Sequence, residues 1–269
     1  MKFAICNEVF QTPIEETIRT VAELGYDGVE VAPFTIAESV EDISATRRQS
    51  IRQTATDCGI EIAGLHWILV SPKGLHITTP DDTLRRRSWE YTKAIVNFCG
   101  DLGGEVIVLG SPSARDVVEG DTLEDAMKRA ADGLRDLATV CAERNVNFLL
   151  EPLHPEHTNF MGSAEDAIRL AEMVDHPRIG YILDTRAMSG FKDGILGTIE
   201  KYGANAGHYH VNDPDGLGPG MGDFDFAPVF QKLAEVGFSR WASTEPFDYK
   251  PDPVTVAKTA LETMKAAAG

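Results

Sequence analysis

Short apolar runs alternate with amphipathic stretches along the whole 269-residue chain, and this alternation constrains the fold more than any other feature. Strand candidates fall at 3–8, 27–32, 60–66, 105–109, 146–151, 179–184, 207–212 and 240–245. They are short and continuously apolar, as strands buried on both faces should be. Helix candidates lie between them at 13–24, 44–58, 81–101, 122–143, 163–174, 190–202, 225–236 and 252–266. In 122–143, Leu123, Met127, Ala130, Leu134, Leu137 and Cys141 recur at the three- and four-residue spacing of one helix face. The stretch 190–202 is the weakest, because glycines interrupt it. Thr12-Pro13, Asp121 and Ser163 suit helix starts, and Gly25, Gly59 and Gly103 suit helix ends. No linker or composition break divides the chain. Eight strand–helix units at about 34 residues each predict one α/β domain over 1–269, a (β/α)8 barrel. A doubly wound sheet would need a glycine-rich turn after its first strand, and this chain reads NEVFQTP there.

In such a barrel the C-terminal ends of the strands converge on one mouth. Four late strands end in metal-ligand residue types: Glu151 closes VNFLLE, Asp184 closes IGYILD, His210 lies in GHYHVN, and Glu245 closes RWASTE. Each has an ordinary explanation on its own. Glu151 and Glu245 could be strand-end ion-pair partners, Asp184 a cap for the loop 185–190, and His210 a satisfied core histidine. Together, three carboxylates would repel one another in a confined mouth unless a cation joined them. Three carboxylates and one imidazole suit Mn²⁺ best, with Mg²⁺ or Co²⁺ as further candidates, rather than a thiolate-loving ion.

Other polar residues crowd the same rim: Asn7 and Glu8, Glu30, His66 and Trp67, His154, Glu156 and His157, Arg186, and His208, Asn212 and Asp213. Asn7, His66, Trp67, Glu156, His157, Arg186 and His208 are the candidates for contacting substrate. His208 and His210 share side-chain parity, so both can point inward. The loop DPDGLGPGMGDFDF carries Gly218, Gly220 and Gly222, which could bring backbone to a phosphate or could simply form a flexible connection.

Net charge of −17 opposes a phosphate-rich polymer, and no basic run is interleaved with aromatics, so nucleic acid is not expected as a partner. No apolar run approaches the roughly 18 residues of a membrane span, and the N-terminus MKFAICNEVF lacks the apolar region of a secretory signal. Cys6, Cys58, Cys99 and Cys141 are scattered and form no CxxC, as in a reducing compartment. A cytoplasmic location is expected; a homo-oligomer is left open.

Several segments carry a resemblance to xylose-isomerase-like TIM barrels, and more closely to the sugar phosphate isomerase/epimerase superfamily. They are GYDGVEV at 25–31, GLHW at 64–67, LGGEVIVLGSP at 102–112, EPLHP at 151–155, LDT at 183–185, HYHVNDPDG at 208–216, GDFDF at 222–226 and STEPF at 243–247. That superfamily includes ketose 3-epimerases, hydroxypyruvate isomerase, and inositol-catabolic isomerases and dehydratases. The resemblance implies that Glu151, Asp184, His210 and Glu245 are four metal ligands. It also implies that Glu151 and Glu245 move protons on a small sugar or keto-sugar through a metal-stabilised enediolate. Two departures stand out. Many relatives place a substrate-contacting histidine after the sixth-strand aspartate, where this chain reads Thr185-Arg186-Ala187-Met188. The epimerases place an arginine after strand seven, where this chain reads Asp215-Gly216-Leu217-Gly218. Arg186 is a candidate to replace part of either function.

The leading expectation is therefore a metal-dependent isomerase or epimerase. The same chemistry could expel a β-hydroxyl, giving a keto-sugar or keto-inositol dehydratase or lyase. A sugar-binding barrel without catalysis is the non-enzyme alternative. An abasic-DNA endonuclease shares the fold but requires a histidine-rich multi-zinc set and a cationic path.

Overall fold

The computed structural model describes residues 1–269. Eight parallel strands close into a barrel in chain order. They are β1 (Lys2–Cys6), β2 (Gly28–Val31), β3 (Glu61–Leu65), β4 (Val106–Leu109), β5 (Asn147–Leu150), β6 (Ile179–Asp184), β7 (His208–Val211) and β8 (Trp241–Thr244). Closure is explicit in the register, where Ala4 of β1 lies opposite Ser243 of β8. The outer ring is α1 (Ile14–Leu24), α2 (Ala45–Asp57), α3 (Asp82–Leu102), α4 (Leu123–Arg144), α5 (Ala164–Val174), α6 (Thr185–Met188), α7 (Gly194–Tyr202), α8 (Ala227–Glu235) and α9 (Pro253–Ala268). None of these helices is long and apolar enough to cross a membrane.

The local chemistry explains the elements. Every residue of β2, β4, β7 and β8 is buried, because one face fills the barrel and the other meets the helices. On α4, Met127, Ala130, Leu134, Leu137 and Cys141 are buried as their spacing predicts, while Leu123 in the first turn stays exposed. Ser163 caps α5 by accepting from the Asp166 amide at 3.2 Å, a cap worth about 1 kcal/mol. Gly25 and Gly103 end α1 and α3 in the left-handed region, at φ 88° and 83°. For α4 the cap is Thr122 rather than Asp121, whose carboxylate instead pairs with Arg129.

Two expectations shift. The first strand ends at Cys6, and Asn7–Phe10 coil into a 3-10 turn that buries Val9 and Phe10. Its apolar residues imitate a longer strand in the sequence. The stretch 190–202 is helical only from Gly194, and the short α6 forms separately just after β6. All four cysteines are free thiols.

Inside the barrel, Ala4, Ala63 and Trp241 cluster at the N-terminal end. Trp241 occupies the space that Gly28 leaves, where a Cβ would stand 2.8 Å from the indole. Lys2 Nζ lies over that indole, 4.9 Å from its centroid. Val106, Val108, Leu149 and Ile182 form a further apolar group. Polar side chains begin at the C-terminal half.

Candidate metal centre and active site

Glu151 follows β5, Asp184 closes β6, His210 lies in β7 and Glu245 follows β8, so four neighbouring strands deliver them to one point. One ligand atom from each lies within 4.8 Å of the others, and all four residues are buried. His210 Nδ1 stands 3.0 Å from Glu151 Oε1 and 3.1 Å from Glu245 Oε2. The donor set is three carboxylates and one imidazole, which fits a hard or borderline divalent cation. The electrostatics agree. Burial, followed by the charges of Glu151 and Glu245, pushes the Asp184 carboxyl up to about 7. For Glu245 burial acts the other way from the net result: the charge and hydrogen bond of His210 outweigh it and hold the carboxyl well below its usual range. His210 is itself raised well above an ordinary histidine, because Glu245, Glu30 and Glu151 overcome its burial.

Asp184 performs both tasks open to it in the sequence. Its Oδ1 caps α6 by accepting from the Ala187 amide at 2.6 Å, while Oδ2 accepts from Asn212 Nδ2 at 3.0 Å. Asn212 is a residue whose part sequence reasoning missed. Its Nδ2 also donates to the Glu245 carbonyl at 3.2 Å and its Oδ1 accepts from the Arg186 amide at 3.1 Å, so one amide spans three strand ends.

A cavity of about 230 Å³ opens above the four residues, lined among others by Glu151, Asp184, Glu245, Trp67, His157 and Arg186. Trp67 is 38% exposed and donates its Nε1–H to Glu245 Oε1 at 2.8 Å. Arg186 lays its guanidinium 4.7 Å from the Phe247 ring centroid. Glu151 Oε2 points toward Gly110, where a Cβ would stand only 1.8 Å away. Gly110 lies within the LGGEVIVLGSP segment, but nothing in the sequence singled it out as part of the site.

The other candidates for substrate contact lie elsewhere. Asn7 is buried with its amide committed to the chain: Nδ2 donates to Thr35 at 2.8 Å and Oδ1 accepts from the Ala32 amide at 2.7 Å. Glu156 points to solvent with its side chain 81% exposed, and His154 lines the cavity in its place. His66 is fully buried behind Glu245, with Nδ1 3.2 Å from Glu245 Oε1 and Nε2 2.9 Å from Glu8 Oε2. Burial opposes its charge, but Glu8 and the bonds to both carboxylates push it up to about 10. His208 does point inward, but beneath the centre, where Nε2 donates to Glu30 Oε2 at 2.9 Å.

The glycine-rich loop forms no phosphate cradle. The Asp213 carboxylate is buried within it beside Gly222, and Gly220 lies against Thr263 of α9. An anion there would meet a carboxylate, not a row of free amides.

A strand-borne ligand cluster at the C-terminal mouth of a (β/α)8 barrel is the arrangement of a TIM-barrel enzyme site. The profile of the xylose isomerase-like TIM barrel family matches residues 18–267, and the chain belongs to that family. Among similar proteins, the fructoselysine 3-epimerase of Shigella flexneri is 23% identical over 260 residues, covering 94% of this chain and 93% of its own. The 3-dehydro-D-guloside 4-epimerase of Escherichia coli K12 is 23% identical over 274 residues, covering 98% and 99%. The crystal structure of D-psicose 3-epimerase with D-tagatose from Clostridium cellulolyticum H10 superimposes with a TM-score of 0.86 at 20% identity, covering 100% and 99%, which shows the shared fold.

Proposed function

We propose that this chain is a divalent-metal-dependent epimerase of a small ketose or keto-sugar, with Mn²⁺ as the ion. The observation that carries the reading is the meeting of Glu151, Asp184, His210 and Glu245 under a cavity of about 230 Å³, with all three carboxylates lining it. The epimerase names of the relatives support the substrate class.

A divalent ion at the cluster supplies positive charge against the negative charge that develops on substrate oxygens as a proton leaves carbon. The chain's own residues do the rest. Glu151 is the freer carboxylate, with Oε1 against His210 and Oε2 against the bare backbone of Gly110, and it takes the proton from carbon. Glu245 is held by Trp67 Nε1–H and His66 and serves the opposite side. Trp67 and Phe247 wall the cavity against water, and Arg186 offers a charged donor to substrate hydroxyls. Arg186 stands where relatives have a histidine nearby, so it is the residue on which substrate choice turns.

Incubating the Mn²⁺-loaded protein with a panel of ketoses and keto-sugars in D₂O tests the reading. Deuterium at the inverted carbon of a recovered epimer is the expected result, lost in Glu151→Gln and Glu245→Gln. Net loss of water would identify a dehydratase. Binding of sugar with no exchange at carbon across the panel would defeat the catalytic reading.

A further inference from the structure

Beneath the ligand cluster lies a buried polar triad that the proton-transfer chemistry does not use. Glu30 of β2 is fully buried in the barrel. His208 Nε2 lies 2.9 Å from its Oε2 and His210 Nε2 lies 3.3 Å from its Oε1. These contacts cross the barrel, because β2 and β7 are not neighbours in the sheet. His208 Nδ1 is buried with no partner, so a proton there would have no acceptor, and the ring's proton belongs on Nε2, facing Glu30. Both oxygens of Glu30 are therefore occupied, and the carboxylate cannot turn without breaking a buried hydrogen bond.

His210 is the residue shared by the two layers. One ring nitrogen faces Glu151 and Glu245; the other faces Glu30. We propose that Glu30 is a positioning residue for the metal centre: it keeps the proton of His210 on Nε2, which leaves the Nδ1 lone pair directed at the ion, and His208 braces Glu30 from the far side. A histidine carries one proton between two nitrogens when it binds a metal, and the partner of the remote nitrogen decides which one is free. Without Glu30 the ring has no acceptor below it, and the Nδ1–H form, already close to two carboxylates, competes with the ion. The same three residues, Glu30, His208 and His210, are also close enough to hold an ion themselves. That arrangement would require His210 to bridge two cations as an imidazolate, so the hydrogen-bonded triad is the reading adopted. The inference rests on the metal-site reading of the preceding section, and its test separates the two.

The test is Mn²⁺ titration of the full chain, read by the loss of free-ion signal, on wild type, Glu30→Gln, Glu30→Asp and His208→Gln. One ion per wild-type chain is expected. Glu30→Gln, whose amide can accept from only one of the two rings, should bind about 10–100-fold more weakly. Glu30→Asp should recover part of the loss, and His208→Gln should lose less than Glu30→Gln. Long-range ¹H–¹⁵N spectra of the Mg²⁺-loaded wild type should show His210 protonated at Nε2, a measurement that needs no variant to fold. Unchanged Mn²⁺ affinity in a folded Glu30→Gln, or two ions per chain, would each overturn the role of Glu30 while leaving the four-ligand site standing; a Nδ1-protonated His210 in the loaded protein would overturn that role and remove His210 from the ligand set as well. A wild type that binds no Mn²⁺ would overturn both.

Discussion

Gly110 offers the sharpest separation of site from fold. An alanine there places its Cβ 1.8 Å from Glu151 Oε2, whereas ordinary contact begins at 3.4 Å. The backbone of Gly110 is outside the left-handed region, so alanine strains nothing in the main chain. The obstacle is the far end of a flexible side chain, so the carboxylate moves rather than the barrel, by roughly 1.6 Å, against about 100-fold in rate for a misplacement of 1 Å. Gly110→Ala should therefore melt within a few degrees of wild type, bind Mn²⁺ at least about 10-fold more weakly through loss of a well-placed ligand, and exchange substrate hydrogen about 100-fold more slowly. The assays are thermal melting of the metal-free protein, Mn²⁺ titration, and deuterium incorporation from D₂O. A Gly110→Ala protein with wild-type affinity and exchange would show that Glu151 does not act from this position.

Three other outcomes follow from the same geometry. Stripping the metal with a chelator and restoring Mn²⁺ at about 100 times its Kd should stabilise the fold by about 2.7 kcal/mol, a rise of roughly 5–10 °C in melting temperature; an unshifted melting curve counts against a site in the native state. Metal affinity should fall as pH drops below about 7, because the ion must displace the proton that Asp184 holds up to that pH, and His210, also raised, acts in the same direction. The slope should approach tenfold per pH unit for each proton displaced, and affinity that is flat from pH 8 to about 5 would contradict the raised Asp184. Trp67→Phe keeps the ring but removes the 2.8 Å bond to Glu245 Oε1, so kcat/KM should fall about 10–100-fold, the loss expected for a donor to a charged acceptor worth about 1.5–3 kcal/mol. Steady-state kinetics on an epimerised ketose would detect it, and unchanged kinetics would assign the indole a packing role alone.

The features that repeat along the chain were readable in it, and those made by closure were not. The strand ending at Asp184 has the same bounds in sequence and structure because the apolar run stops where the chain turns into α6. The quartet is readable because three members close such a run and His210 lies near the end of a fourth. Glu156 was the natural choice after β5 by residue type, yet the turn at 155–157 throws it outward and leaves His154 on the cavity. No local pattern distinguishes those two positions. Asn7 looked like a rim ligand but is used to tie β1 to the loop after β2, a need that appears only once the strands are adjacent. Glu30 and His208 are 178 residues apart and meet only across a closed barrel. Gly110 matters through what a side chain would hit, which composition does not encode.

The tryptophan at the base of the barrel has a consequence for traffic. With the lower end filled by Trp241 against Gly28 and covered by Lys2, the lumen is a blind tube, and the cavity beside Trp67 and Arg186 is its way in. Glu151, Asp184 and Glu245 of the ligand cluster line that same cavity. On the proposed reading, an ion would load before the sugar and would be held while the sugar is in place. The architecture imposes an order of arrival and departure: a chelator added during turnover should strip the resting protein faster than the saturated one.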